Sequence, residues 1–423
     1  MGFFDFFKKK NDTLQKKPDI HQPYYWEERS YMQIVPSSDE YVLDEGMLDR
    51  IGGIEGVTVK SFVMPTKELS GTLDIEYDQK NYEVVFFWAD FTLPKMYQHQ
   101  NQYFTDTEMD ALKKANKALI YHIKFGEEPK KAYHLQLKLA CAMVPDFMGL
   151  VDESAEKLMC PGWVKLAASS GTLPANDSIY TVQAISGKKG DVWLHTHGLA
   201  RCGVTELEIL DSDKDNYNNH YYVISTLAGR LLDGSDTTEP LLIGRLSNGG
   251  SIFAAPVLWN AALLKYPKNI LGGIQDRKDG HNSITSIIFL TNESGEFCPV
   301  TDYNKILGEN PLFFISSEET RRMSMLARER YDYLKTAFAM EETHILIKVG
   351  LPTAHGETPE HIWFELEEFT ESGFKAVLTQ EPYDVPDMHE GDKGEYTADD
   401  VTDWIIFNKQ YGRITPETAY ILN

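Results

Sequence analysis

The chain has no run of about 18 apolar residues, so nothing in it reads as a transmembrane helix. Cysteine is scarce: Cys141, Cys160, Cys202 and Cys298 lie far apart and form no C-x-x-C pair. That spacing speaks against a zinc ribbon, a thioredoxin-like motif and a disulfide scaffold, and it suits a reducing, cytoplasmic compartment. Positive charge is also short, with 41 Lys and Arg against 64 Asp and Glu and a formal net charge of −23. Such a surface repels phosphate backbones, so no nucleic acid is expected as a partner. Absent too are a Walker A loop, a G-x-G-x-x-G turn after a strand, a G-x-S-x-G elbow and an H-E-x-x-H helix. NTPases, dinucleotide-dependent dehydrogenases, α/β-hydrolases and zincin proteases lose ground accordingly. The opening MGFFDFFKKK carries its charge after its apolar part and lacks a cleavage site, unlike a secretory signal.

What is present is enough to build cores: 42% of the residues are apolar and 12% aromatic. The 423 residues exceed one ordinary domain at roughly 100–200 residues each. The pattern predicts an α+β protein, a mixed α/β large unit of two subdomains followed by a small β-rich domain. The expected segments are 1–27, 28–150, 151–340 and 341–423. In the first segment Phe3, Phe4 and Phe7 share one side of a helical turn ahead of Lys8, Lys9 and Lys10. This reads either as a membrane-surface anchor over residues 1–10 or as a start that folds back on the protein. Short β-rich runs fill 31–95. Thr105 and Glu108 resemble a capping box, with Met109, Leu112, Ala115, Leu119 and Ile120 continuing a helix behind them. Another helix is expected after Pro129, one over Tyr217–Leu232, and a long one from Ser316 to about Met340. The closing segment predicts a small curled sheet or barrel.

The strongest local signal for chemistry is His195-Thr196-His197-Gly198 after Asp191-Val192-Trp193-Leu194. Residues two apart on a strand share a face. Two imidazoles pointing one way, with Glu206 or Glu208 from the next strand, would suit a divalent metal such as Zn or Fe and a metal-bound water. The plainer reading is a pair of hydrogen-bonded histidines ending a strand. Cys202 is a remote thiol nucleophile and a better buried, inert cysteine. Asp211, Asp213 and Asp215 imitate half of a calcium loop, but Asn216 stands where glycine is needed and Tyr222 where a bidentate glutamate is needed. They read better as acids before a helix. Gly272-Gly273 and the loop with Asp276, Arg277 and His281 offer a binding loop or a plain connection. Near the end, Glu360, His361, Trp363, Asp403 and Trp404 line a ligand groove or fill a core. Residues 381–403 hold nine acids and one lysine, the pattern of a solvated face.

The runs EHIWFELEEF, GFKAVLTQEPYDV, EGDKGEY and TDWIIF, carrying Glu360, His361, Trp363, Pro382, Gly391-Asp392 and Asp403-Trp404, resemble the bacterial family known as domain of unknown function 2314. The resemblance spans about 340–410. WLHTHGL, ELEIL and the GG-x-x-DR loop resemble domain of unknown function 4026 over about 30–335. Neither resemblance implies an activity or a catalytic residue; together they imply a bacterial cytoplasmic protein. The acidic balance and the missing catalytic signatures, with the setting near toxin–immunity loci that the resemblance implies, lead to a non-enzymatic protein-binding or immunity-type role with a basic protein partner. The alternatives are a metal-dependent hydrolase using His195 and His197, and a peripheral membrane protein.

Overall fold

In Gly71–Tyr77, sequence GTLDIEY, Leu73 and Ile75 are fully buried while Asp74 is exposed, the period-two signature of a strand with one wet face. A computed structural model extends this reading over residues 28–66, 69–95, 103–235, 239–246, 249–277, 285–291, 297–309, 311–354, 356 and 359–423. The Phe- and Lys-rich start and His281 lie outside the described residues.

Among the described residues the chain forms three sheets and is α+β. The first sheet has the order β2-β3-β4-β5-β1-β6-β7. Its strands are β1 Arg29–Pro36, β2 Val57–Val63, β3 Gly71–Tyr77, β4 Lys80–Asp90, β5 Lys117–Lys124, β6 Phe147–Asp152 and β7 Lys157–Met159. Helices α1 Met47–Gly52, α2 Asp106–Lys114 and α3 Pro129–Met143 accompany them. The helix expected to run through Leu119 and Ile120 stops at Lys114. Those residues belong to β5, a central strand paired on both edges. The run from Ala118 to Ile123 is apolar on both faces because both are covered, and such a run carries no period to separate strand from helix.

Helix α4 Pro161–Ser169 follows, and then the second sheet in the order β15-β11-β12-β13-β10-β9-β8, with β14 beside β13. Its strands are β8 Thr181–Ser186, β9 Asp191–His197, β10 Glu206–Asp213, β11 Leu241–Arg245, β12 Ser251–Leu258, β13 Thr285–Thr291, β14 Phe297–Pro299 and β15 Leu312–Phe313. Helix α5 Tyr217–Leu232 buries Val223, Ile224, Leu227 and Leu231, one stripe at helical spacing. Trp193, Leu210, Ile287 and Phe289 form a core with residues of α6 Trp259–Ala262 and the segment after it. Helix α7 Asn304–Leu307 precedes β15.

The chain divides into two units: one ends at Ser316, and the other combines Cys160–Leu173, which contains α4, with Ser317–Asn423. The expected single helix after Ser316 is two, α8 Ser317–Glu329 and α9 Asp332–Phe338, and both lie in the second unit. Its sheet is antiparallel, in the order β19-β18-β17-β16-β20-β21. The strands are β16 Thr343–Leu351, β17 Glu360–Phe369, β18 Phe374–Leu378, β19 Lys393–Tyr396, β20 Val401–Asn408 and β21 Gly412–Ile414. It is an open sheet and not a closed barrel. Leu334 and Ala337 of α9 and Ala327 of α8 bury one face together with Ile347, Phe364 and Trp404. No helix among the described residues is long and apolar enough to cross a membrane.

Candidate functional site

On β9 the alternation of side chains sends Trp193, His195 and His197 to one face. The rings form a column, with centroids 4.5 Å apart for Trp193 and His195 and 4.8 Å for His195 and His197. His195 is fully buried and stands in register between Gln183 on β8 and Glu208 on β10. His197 keeps a little exposure, with Nδ1 3.9 Å from Glu156 Oε1. The carboxylates are committed elsewhere. Glu206 Oε2 accepts from the Thr196 hydroxyl at 2.6 Å, and Oε1 accepts the backbone N–H groups of Gly198 and Ala200 at 2.8 and 2.9 Å. It therefore pins the turn between β9 and β10. Gly198 is required there: its φ is +113°, and a Cβ would sit 2.7 Å from the Ile179 carbonyl oxygen.

Glu208 is held by both Nη atoms of Arg277, whose Nη1 also donates to Thr285 Oγ1 at 2.9 Å. Burial pushes the Glu208 carboxyl up to about 7, and the Arg277 guanidinium opposes that rise. Arg277 also lies 4.8 Å over the Trp259 ring. The polar loop before β13 thus brings a cation, not a further ligand, to the histidine face. Asp276 stays in its own loop and accepts from the Gly272 N–H at 2.9 Å. His195, His197, Glu206 and Glu208 do not converge on one point. Among the described residues no group of three or more His, Cys, Asp or Glu is placed to hold a metal. The Cys202 thiol is buried and pushed up to about 12, which removes it as a thiolate nucleophile.

In the second unit the residues expected to act together separate. Trp404 is fully buried in the core, and its Nε1–H donates to the Ala327 carbonyl at 3.0 Å. Both Glu360 oxygens accept backbone N–H groups, from Tyr383 and Asp384, each at 2.8 Å. Neither is free to line a groove. Asp403, Lys348 and Trp363 do lie side by side on β20, β16 and β17, on the face away from Trp404. Lys348 Nζ stands 5.0 Å over the Trp363 ring, and His361 Nδ1 is 3.1 Å from the Thr402 hydroxyl.

A concave polar site that the sequence did not announce lies elsewhere in the first unit. A cavity of about 550 Å³ opens in the first unit, lined by Asp191, Asp211 and Asp213, by Lys189, Asn269, Thr301 and Asn304, and on an apolar side by Pro267, Ile270 and Leu271. Asp191 begins β9, while Asp211 and Asp213 end β10. At Asp211 the strand is irregular: the register with β9 shifts between Ile209 and Ser212, and Asp211 has φ +60°. A non-glycine residue in that region is held at a cost by its surroundings. Burial and the neighbouring carboxylates of Asp191 and Asp213 raise the Asp211 pKa. Burial acts the same way on Asp213, but hydrogen bonds from Asn216 and the Asp215 N–H outweigh it and the net shift is downward. The triple-aspartate run therefore serves two ends, a turn before α5 and a wall of this cavity.

Ser212 and Asn304 also line the cavity, and a histidine of α5 joins them beneath its wall. His220 is fully buried; its Nδ1 is 2.7 Å from Ser212 Oγ and its Nε2 is 2.7 Å from Asn304 Oδ1. With an acceptor at Asn304, the ring carries its proton on Nε2 and receives the serine proton's hydrogen bond at Nδ1. Burial lowers the His220 pKa, so the ring is neutral near pH 7. The sequence held one clue: His220 sits on the same stripe as Val223, Ile224 and Leu227, where a polar residue needs buried partners.

The comparisons agree with this layout. Residues 30–174 match the N-terminal part, and 179–289 the C-terminal part, of the protein of unknown function DUF4026. Residues 318–417 match DUF2314, described as an uncharacterized protein conserved in bacteria. No curated protein and no solved structure matches the chain.

Proposed function

For a chain that belongs to the DUF4026 family and ends in a DUF2314 region, we propose a protein-binding role of immunity type, directed at a basic partner. The observation that carries this reading is the cavity walled by Asp191, Asp211 and Asp213. Three carboxylates on one concave wall, one already driven toward its neutral form by burial and by the other two, form a site that is relieved by a cation. The net charge of −23 supports the same direction, since it attracts a basic surface from a distance and repels an acidic one. The apolar wall of Pro267, Ile270 and Leu271 suits the methylene stem of a lysine or arginine side chain.

The test is the binding of a fluorescent arginine-rich peptide to the full chain and to its Asp191→Asn, Asp211→Asn double variant. Each accessible charge pair is worth about 0.3–1 kcal/mol, so the double variant should bind about three- to thirty-fold more weakly. Equal binding by the two proteins contradicts the reading. The arrangement of His195, His197, Glu206 and Glu208 favours a structural role, because Arg277 and the turn after β9 already claim the two carboxylates.

A further inference from the structure

Three features meet at the end of β10. A cavity opens there. The strand is irregular immediately before Ser212, and Asp211 sits in the left-handed region. Irregular strands of this kind recur beside active sites, where they re-aim a side chain. Ser212 is bonded to His220, and His220 to Asn304, both at 2.7 Å. A nucleophile within reach of a neutral imidazole, with that imidazole oriented by a third group, is the arrangement that activates a serine. The roles of the two ring nitrogens are exchanged relative to the usual serine relay, but the proton path is the same.

We propose that Ser212, His220 and Asn304 form an acyl-transfer site, acting on esters whose acyl part bears a cation. The inference rests on the cavity's preference for cations argued above and adds a reaction to it. Ser212 Oγ attacks the ester carbonyl carbon, and its proton passes to His220 Nδ1. The bond from carbonyl carbon to alkoxy oxygen breaks, and His220 returns the proton to the departing alcohol. Water then attacks the acylated serine, His220 takes its proton, and Ser212 Oγ recovers it as the free acid leaves. Asn304 Oδ1 holds the imidazole in the required tautomer throughout. Asp191 and Asp211 receive the cationic end of the acyl group, and Lys189, which lines the same cavity, supplies positive charge for the developing oxyanion.

The experiment treats the full chain with a fluorophosphonate probe, maps the adduct by mass spectrometry, and follows release of p-nitrophenol from a lysyl and from a neutral acyl ester. The expected result is an adduct on Ser212 and at least tenfold faster turnover of the lysyl ester. Ser212→Ala should abolish both. Because that change also removes a bond to a buried histidine, His220→Gln is tested beside it, with circular dichroism to establish that each variant is folded; it should slow labelling at least a hundredfold. Absence of a Ser212 adduct on the folded wild-type chain overturns the proposal, whatever the peptide-binding result. Labelling of Ser212 with equal turnover of the two esters keeps the serine site and overturns the cationic substrate.

Discussion

Arg201 shows how much one side chain holds. It is fully buried, and its two Nη atoms each lie 2.7 Å from an oxygen of Asp152, itself fully buried. Nη1 also donates to Ser30 Oγ and Nη2 to the Ile179 carbonyl. Phe125 and Tyr133 flank the guanidinium at 5.1 and 5.4 Å. The residue comes from the turn after the H-T-H-G run, while Ser30 and Asp152 belong to the first sheet, so it ties the two sheets of one unit together. Removing one member leaves the other charge buried and unmatched. Arg201→Met should therefore destabilise the unit by about 3–5 kcal/mol, measured as a shift of the denaturant midpoint. An unchanged midpoint would show that the pair does not hold the sheets. None of this was legible beforehand: the sequence shows an arginine in a loop, and only the fold reveals that the loop is covered. His195 and His197 were legible as neighbours on one face. The fate of Glu206 and Glu208 was not, because Glu206 is taken up by the backbone of the turn after β9 and Glu208 by Arg277, 69 residues away.

At the scale of elements, period-two patterns located most strands, and the helix expected over Tyr217–Leu232 is α5. What failed was the treatment of segments without a period. β5 is apolar on both faces, and the break between α8 and α9 carries neither glycine nor proline. The tryptophan pair of the closing sheet makes the same point. Trp363 and Trp404 lie on different strands with similar neighbours, yet register places one on the open face and the other against α8. Trp404→Phe keeps most of the packing and loses the bond to the Ala327 carbonyl. It should cost about 0.5–1.5 kcal/mol. Trp404→Ala should cost about 3–5 kcal/mol. Hydrogen exchange of the β20 amides measures both. Equal protection in the two variants would count against this docking of α8 on the sheet.

For the whole molecule, composition points to a kind of partner more directly than any motif does. The charge of −23 is the property that a basic partner would meet first. Its reach is set by salt, since the Debye length shrinks from about 10 Å at 0.1 M to about 3 Å at 1 M. Binding of the arginine-rich peptide should weaken steeply over that range, whereas an apolar contact would hold or strengthen. The acidic total does not say where a basic partner would be met; β9 and β10 set Asp191, Asp211 and Asp213 around one cavity, and the proposed recognition is placed there for that reason.

Asp211 offers the most direct measurement. Burial and its two acidic neighbours raise its pKa in the free protein, so a cation in the cavity must lower it. Affinity is then full above the raised value and lost as pH falls through it, and binding near that value expels protons from the carboxyl. Calorimetric titration of spermidine into the full chain, repeated in two buffers of different ionisation enthalpy, counts those protons. The account predicts proton release that grows as pH is lowered and disappears in Asp211→Asn. Binding without proton release, or release that persists in Asp211→Asn, would contradict it.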